Sequence, residues 1–460
     1  MRRHGALTAA LVAGLMGPAI LAPGAAAAEP ATTTLGLCPT PPPLAVAADT
    51  QDVHSGAWSY FGDPRSIAHG TRVFTGCVST TRGIVAHQYD LRTGETFHAH
   101  LHRNKELDDH DNPSLVFWRH RIYAFCSPHS GRVFPLDRHS QMHYRASRAR
   151  YDLHKGFGPE RLVRTNTPGG LGYTYPNPIA TRDKLWLFWR GGNWYPTFSY
   201  TRDGVHWVKA RTLVRGPHRQ RPYAKYIGGP DGSIHVVLSE RHPQSYRTSL
   251  YYVRYKSGHF YRADGRLIGR MRDLPLRVRQ LDRVYRYRPA IGRAWPHDIA
   301  LGPSGQPRIV YTAREGGPGG RDTFYLARWD GSAWRRYGIV SAGRGALTFH
   351  SGGITFDHAR PSRVVLSRTI GGWNEIEVFR TPDGGRTWMT PIPVTSNSNA
   401  HNFRPIIPRG LTGPRLVVIY VHGTASSFRN FQTEVRMDVA EEPGGQPRTA
   451  PIPSTTEKPR

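Results

Sequence analysis

The chain has 460 residues, with 62 Lys+Arg against 33 Asp+Glu, a formal net charge of +29. Such a balance points to an anionic partner, because a strongly positive surface concentrates and steers anions; only seven of the 62 are lysine, and an arginine excess is also what GC-rich coding leaves on a solvated surface. No stretch beyond the N-terminal region is apolar for long enough to span a bilayer, which excludes a helical membrane protein.

Residues 1–28 combine a short basic head, an apolar stretch broken by Gly and Pro, and a run of small residues, the layout of a secretory signal peptide. The arginine pair at its start lacks the rest of a twin-arginine signal, so the expectation is ordinary secretion of a soluble extracellular chain. Removing Arg2 and Arg3 with the signal leaves 29 − 2 = +27. Residues 29–50 and 438–460 are rich in Pro, Ala, Thr and charge and read as a flexible N-terminal segment and a disordered tail. Cys38, Cys77 and Cys126 remain after export; one disulfide with one free thiol is compatible with that number, the pairing is open, and Cys126 in IYAFC reads as a buried small hydrophobe. There is no CxxC or HExxH pattern.

Between the ends, residues 51–437 repeat one order of elements: a lead-in with Pro or Gly, a strand, a turn, a more apolar second strand, and a third strand often ending near Trp. The second strands fall at 71–80, 122–131, 185–194, 234–243, 308–317, 363–372 and 416–425. Each is β-branched and aromatic between turn signals, and no long 3.6-residue periodicity competes. Seven such units predict an all-β, seven-bladed β-propeller of four-stranded blades, a self-contained monomer by default. Thr381–Trp388 (TPDGGRTW) matches the Asp-box turn, and Thr201–Trp207 is a copy one residue short.

In a propeller the strand lead-ins and second-strand exits share one rim. That places His110 of HDNP (110–113) beside Tyr175 of YPNP (175–178) on adjacent blades, with FGDP (61–64) on the same rim. The second-strand exits add His129, Arg190, Arg241, His242, Arg314, Arg368 and His422, a ring suited to a carboxylate or sulfate. Asp108, Asp109 and Asp111 either orient His110 or cap the turn. No pair of carboxylates stands at equivalent rim positions for ordinary glycoside hydrolysis, and no GxSxG or Cys/His nucleophile signature occurs. A Tyr, two His and an Arg suit proton abstraction beside a carboxylate, which is β-elimination on a uronic acid.

The residues DDHDNPSL (108–115), YPNP with LWLFWRGGNW (185–194), RPYAKY (221–226) with ERHP, and FYRADGRLIG (260–269) through GRAWPHDIALG (292–302) resemble the secreted BNR/Asp-box propellers that include ulvan lyases and rhamnosyl-glucuronate lyases. The likeness is specific over 105–302 and looser elsewhere. It implies that His110, His129, Tyr175 and Arg190 are catalytic, with Arg190 on the carboxylate. Tyr175, chosen over Tyr173 by repeat register, would take the C5 proton, and either Tyr175 or a histidine would protonate the leaving oxygen. The product would be a 4,5-unsaturated uronate, cut from a rhamnose–uronate type acidic polysaccharide. Trp194 and Tyr223 are candidate sugar platforms or packing residues, and Arg241, His242 and Arg314 candidate contacts to neighbouring acidic sugars. No cofactor is required for this chemistry, and no nucleic-acid or membrane partner is expected. The family's propellers can carry structural ions, but the 23 scattered histidines assign no ligand.

The lead-ins of blades five to seven offer no second Tyr, and the arginine load exceeds what a neutral rhamnose end requires. A sialidase would share the turns and the carboxylate-binding arginines, but DPRSI (63–67) substitutes poorly for its Arg-Ile-Pro motif. A histidine-using glycoside hydrolase on the same scaffold and a catalytically silent lectin also fit the sequence.

Overall fold

The computed structural model describes residues 55–103, 106–129, 142–169, 172–217, 220–316, 320–343 and 351–441. The expected signal peptide, the segment 29–50, Cys38 and residues 442–460 lie outside them.

Seven antiparallel sheets follow one another along the chain as the blades of a β-propeller. All seven predicted second strands are present, at Arg72–Val78, Arg121–Cys126, Leu185–Arg190, Ile234–Ser239, Pro307–Arg314, Arg363–Ile370 and Arg415–Ser427. They are the most apolar because both of their faces are covered. In Leu185–Arg190, Trp186 and Phe188 pack toward blade 4, while Leu185, Leu187 and Trp189 pack toward blade 2. Strand alternation therefore distributes one apolar run between two neighbours, and each fully buried large side chain contributes about 1.5–3 kcal/mol.

The blades vary around this plan. Blade 7 has three described strands, the last two long: Arg415–Ser427 and Asn430–Glu441. That final strand runs past the boundary expected at 437, because the residues to 441 still pair with the strand before them. Blade 4 carries the extra strands Leu267–Arg270 and Asp282–Tyr285, and a parallel pair, Val214–Arg215 with Leu276–Arg277, ties it to blade 3. The ring is closed by Gly56 and Thr433, whose backbones hydrogen-bond, and by an Ala57–Val78 bridge. Cys77 and Cys126 are free and buried, as the IYAFC pattern suggests for Cys126. The turns Thr201–Trp207 and Thr381–Trp388 are closed by Asp203 and Asp383, which accept from Thr201 and Thr381. No helix among the described residues is long and apolar enough to cross a membrane.

The axis is filled by ion pairs between blades, some adjacent in the ring and some facing across it. Asp63, leading into blade 1, accepts from Lys225 of blade 4 at 2.9 Å and Arg409 of blade 7 at 3.2 Å. Arg409 also approaches Asp298 of blade 5, which accepts from His358 of blade 6. Lys225 is 1% exposed.

Candidate active site

The two matched lead-ins share a scaffold and differ at the head. Asn112 accepts from the Ser59 amide, and Asn177 donates to the Phe61 carbonyl, so both asparagines hold the segment that leads into blade 1. Pro176 accepts from the Asp63 amide and from Ser114 Oγ. Three blades are thereby fixed together beneath His110 and Tyr175.

Tyr175 is aimed by a bulge. The register of the innermost strand Thr174–Ala180 shifts between Thr174 and Asn177, and Tyr175 has φ +64°. A bulge bends the strand and re-aims a side chain, and a tyrosine held in the left-handed region stores strain of about 1–3 kcal/mol. The same device recurs at Trp295-Pro296-His297 in blade 5 and Phe403-Arg404-Pro405 in blade 7. Proline suits each bulge because it has no ladder hydrogen to lose.

His110 lies in a 3-10 turn, Asp109–Asp111, capped by Asp108. Its ring stacks on that of His129 with centroids 3.7 Å apart, and Tyr175 lies 5.5 Å away. Asp108 performs both roles open to it: besides capping, it accepts from His110 Nδ1 at 2.7 Å and from His129 Nδ1 at 2.9 Å. A carboxylate only accepts, so both Nδ1 atoms carry hydrogen and each Nε2 is the ring nitrogen left for other work. Asp109 also contacts His110 Nδ1 and is paired with Arg404 at 2.6 Å.

These partners set the two rings to different states. Burial pushes His110 down, but Asp109 and Asp108 together raise its pKa to about 10, so it is an imidazolium. Burial and the neighbouring His110 charge lower His129 to about 4, against the pull of Asp108, so it is neutral.

Arg190, the last residue of its strand, is 5% exposed, and its Nε and Nη2 have no hydrogen-bond partner among the described residues. Its guanidinium lies 4.1 Å from the Tyr223 ring centroid, 4.6 Å from that of Tyr175 and 5.6 Å from that of Trp194. His242 Nδ1 accepts from the Gln244 amide, so its Nε2 donates to the Tyr223 oxygen at 3.2 Å. Burial alone would raise the Tyr223 phenol; the Arg190 charge and hydrogen bonds from Arg190 and Tyr175 bring it below its usual value. Tyr175 moves the other way, well above 10, through burial and its bond to Tyr223.

Of the expected residues, His110, His129, Tyr175, Arg190, Tyr223 and His242 converge. Trp194 is 7% exposed, with Arg190 and Arg221 against its ring, and so serves as packing for guanidinium groups. Arg241 turns toward the Tyr246 ring, 5.8 Å away. The expected ring of free cations is corrected over blades 5 to 7: Arg314 is paired with Asp322, Arg368 with Glu377, and His422 with Asn402. Those partners sit on the adjacent strands of the same blades and satisfy the charge or hydrogen locally.

Sequence reasoning missed three neighbours. Trp295 lies 5.4 Å from Tyr223 and 5.7 Å from His242, and borders a small pocket with Gln244, Arg293 and His297. Phe428 and Arg429, at the tip of the long blade 7 hairpin, cap the site: Phe428 meets both histidine rings edge-on, and Arg429 pairs with Asp108 at 3.1 Å. The unusual length of the apolar run at 416–425 and beyond was the available signal.

The buried neutral histidines imply a pH dependence of stability. Burial, the largest cause in each, lowers His129, His87 and His235 to about 4 and His242 and His297 to about 3. The unfolded chain protonates these rings near their ordinary 6.5, so between that pH and about 4 it binds more protons than the folded chain. Stability therefore falls with falling pH, each histidine contributing about 1.4 kcal/mol per pH unit in that window. Urea midpoints at pH 7 and pH 5 measure this; equal midpoints would contradict the burial of these rings.

The sequence pattern of the BNR repeat-containing family matches residues 72–342. A PL25 ulvan lyase solved with -[GlcA(1-4)Rha3S]- bound is similar to the chain at 16% identity, TM-score 0.63, over 85% of this chain and 94% of that one. Another structure of a PL25 ulvan lyase gives 15% identity and TM-score 0.64 over 85% and 96%, and the polysaccharide lyase Uly1 gives 12% and 0.55 over 85% and 93%. No curated protein matches by sequence. At such identities the solved structures speak for the fold alone. With more than half of the sequence matched to its repeat pattern, the chain belongs to the BNR repeat-containing family.

Proposed function

We propose that the protein is a secreted polysaccharide lyase that cleaves a rhamnose–uronate type acidic glycan by β-elimination at the uronic acid. The observation that carries this reading is Arg190: a guanidinium 5% exposed, with two nitrogens unbonded and no carboxylate beside it among the described residues, surrounded by groups able to move protons. A buried cation in that condition is suited to an anionic group arriving from outside, and a uronate carboxylate fits a planar fork.

Elimination needs the C5 proton removed, charge on the carboxylate stabilised, and the C4–O bond broken with a proton delivered to the leaving oxygen. Arg190 and the His110 imidazolium take the carboxylate and its developing enolate charge. His129, neutral with its lone pair on Nε2, accepts the C5 proton. Tyr175, a neutral phenol at rest, gives its proton to the leaving oxygen. This departs from the sequence expectation, in which Tyr175 itself removes the C5 proton: burial that holds a phenol well above 10 favours it as a donor. Tyr223 and His242 hold Tyr175 and Arg190 in place. The PL25 ulvan lyases, at 15–16% identity, support the substrate class by analogy of fold.

Asp108 and Asp109 are buried and spent on His110, His129 and Arg404, which weighs against a hydrolase built on them. The deciding experiment is ultraviolet absorbance of the protein with ulvan and other uronate polysaccharides. An unsaturated uronate signal is expected; reducing ends without it would make the protein a hydrolase, and binding without either a lectin. Arg190→Lys is expected to lower kcat/KM by about 10²-fold, because a point charge replaces the planar fork; turnover within threefold of the parent, in the same absorbance assay, would remove Arg190 from the carboxylate.

A further inference from the structure

Away from the active site, the outermost strand of blade 1 and the third strand of blade 2 bring two imidazoles to one carboxylate. His102 lies on Thr96–Arg103, His143 opens His143–Ala149, and Glu160 precedes the short strand Arg161–Leu162, which pairs with the His143 strand. His102 Nδ1 is 3.0 Å from Glu160 Oε1, and His143 Nδ1 contacts the same oxygen. The two rings are 4.1 Å apart, and the three ligand atoms lie within 4.8 Å of one another. The side chains are 22%, 19% and 28% exposed, so the cluster is reachable from solvent without being loose on it.

We propose that His102, His143 and Glu160 form a site for a zinc-class divalent metal that clamps blade 1 to blade 2. Two nitrogens and one carboxylate oxygen within 4.8 Å of one another suit zinc and related transition metals; two imidazoles disfavour calcium or magnesium, which take oxygen ligands. The surrounding groups are arranged as they are around a ligated carboxylate. Arg145 reaches Glu160 Oε2 at 3.3 Å, and its remaining nitrogens are bound to the carbonyls of Leu101 and Gly158, so Oε1 alone is turned to the histidines. The strand bearing His102 is the edge of its sheet, tied to blade 2 by Arg145 at the Leu101 carbonyl, and a metal there would add a second fastening to that edge. In the other His–carboxylate cluster, Asp108 with His110 and His129, the two histidines meet different carboxylate oxygens and His110 is shared with Asp109, and the cluster belongs to the active site already described.

The metal site does not depend on the lyase reading. The full chain, stripped with chelator, is titrated with zinc chloride by calorimetry and with cobalt chloride by visible absorbance. One tight equivalent is expected, with a raised Tm and the visible bands of a tetrahedral cobalt site. His143→Ala and Glu160→Gln should weaken zinc binding by about 100-fold or more and abolish the Tm shift, whereas His129→Gln should leave both unchanged. Unchanged zinc binding in a folded His143→Ala chain, checked by circular dichroism, overturns the site. So does the absence of saturable zinc binding and tetrahedral cobalt bands in the parent, a result that needs no variant to fold.

Discussion

Tyr175→Phe is expected to reduce kcat on a uronate polysaccharide by about 10³-fold or more while leaving oligosaccharide binding within a few-fold. A positioned proton donor contributes about 10² to 10⁴ in rate. The substitution removes one oxygen from a ring packed by Phe61, Tyr223 and the Arg190 guanidinium, so the pocket that binds the carboxylate keeps its shape. The role of the phenol is separable from its presence. A substrate whose C4 substituent leaves without protonation, such as fluoride, should be eliminated by Tyr175→Phe at close to the parent rate if Tyr175 is the donor. A Phe variant equally slow on both substrates would make Tyr175 the group that removes the C5 proton, and full activity on polysaccharide would remove it from the chemistry altogether.

Asp63→Asn is expected to destabilise the fold by about 3–5 kcal/mol, the cost of removing one partner from a buried ionic cluster. Asp63 accepts from Lys225 at 2.9 Å, Arg65 at 3.3 Å and Arg409 at 3.2 Å. Burial lowers Lys225 to about 8 even with Asp63 beside it; its ordinary value is 10.5. Because the unfolded chain holds that proton to higher pH, Lys225 makes stability rise with pH between about 8 and 10.5, and loss of Asp63 should extend the effect to lower pH. Urea unfolding gives the magnitude. The double variant Asp63→Asn/Lys225→Met should be more stable than the single one, since it removes the orphaned charge; a single variant within 1 kcal/mol of the parent would mean that the axis is hydrated enough to carry the lysine alone.

The strands that the sequence made legible are those buried on both sides. Leu185–Arg190 reads as a strand because blades 2 and 4 require apolar residues from alternate positions of the same run. Outer strands such as Trp334–Gly343 are half exposed and carry little pattern. At the site, repeat register placed His110, His129, Tyr175 and Arg190 on one rim, because equivalent positions on neighbouring blades converge at the axis, and the family resemblance singled these four out from the rest of that rim. It could not foresee charge compensation within a blade: Arg314 and Asp322 are cross-strand partners in one hairpin, eight residues apart, and each removes the other from the rim. Nor could it place Phe428 and Arg429, which reach Asp108 and His110 from the far end of the chain only once the ring has closed.

The ion pairs on the axis bear on how the chain folds. Lys225 and Asp63 are 162 residues apart, and Arg409 and Asp63 are 346 apart. Loops of that length close late, after the local hairpins of each blade have formed. Until then, every partly assembled ring leaves at least one of these charges without a partner in an apolar setting, at a cost of several kcal/mol. An incomplete stack of blades is therefore penalised where it would otherwise be a comfortable resting point. The axial charges make assembly a matter of seven blades or none, which favours a single slow folding step and a single cooperative unfolding transition.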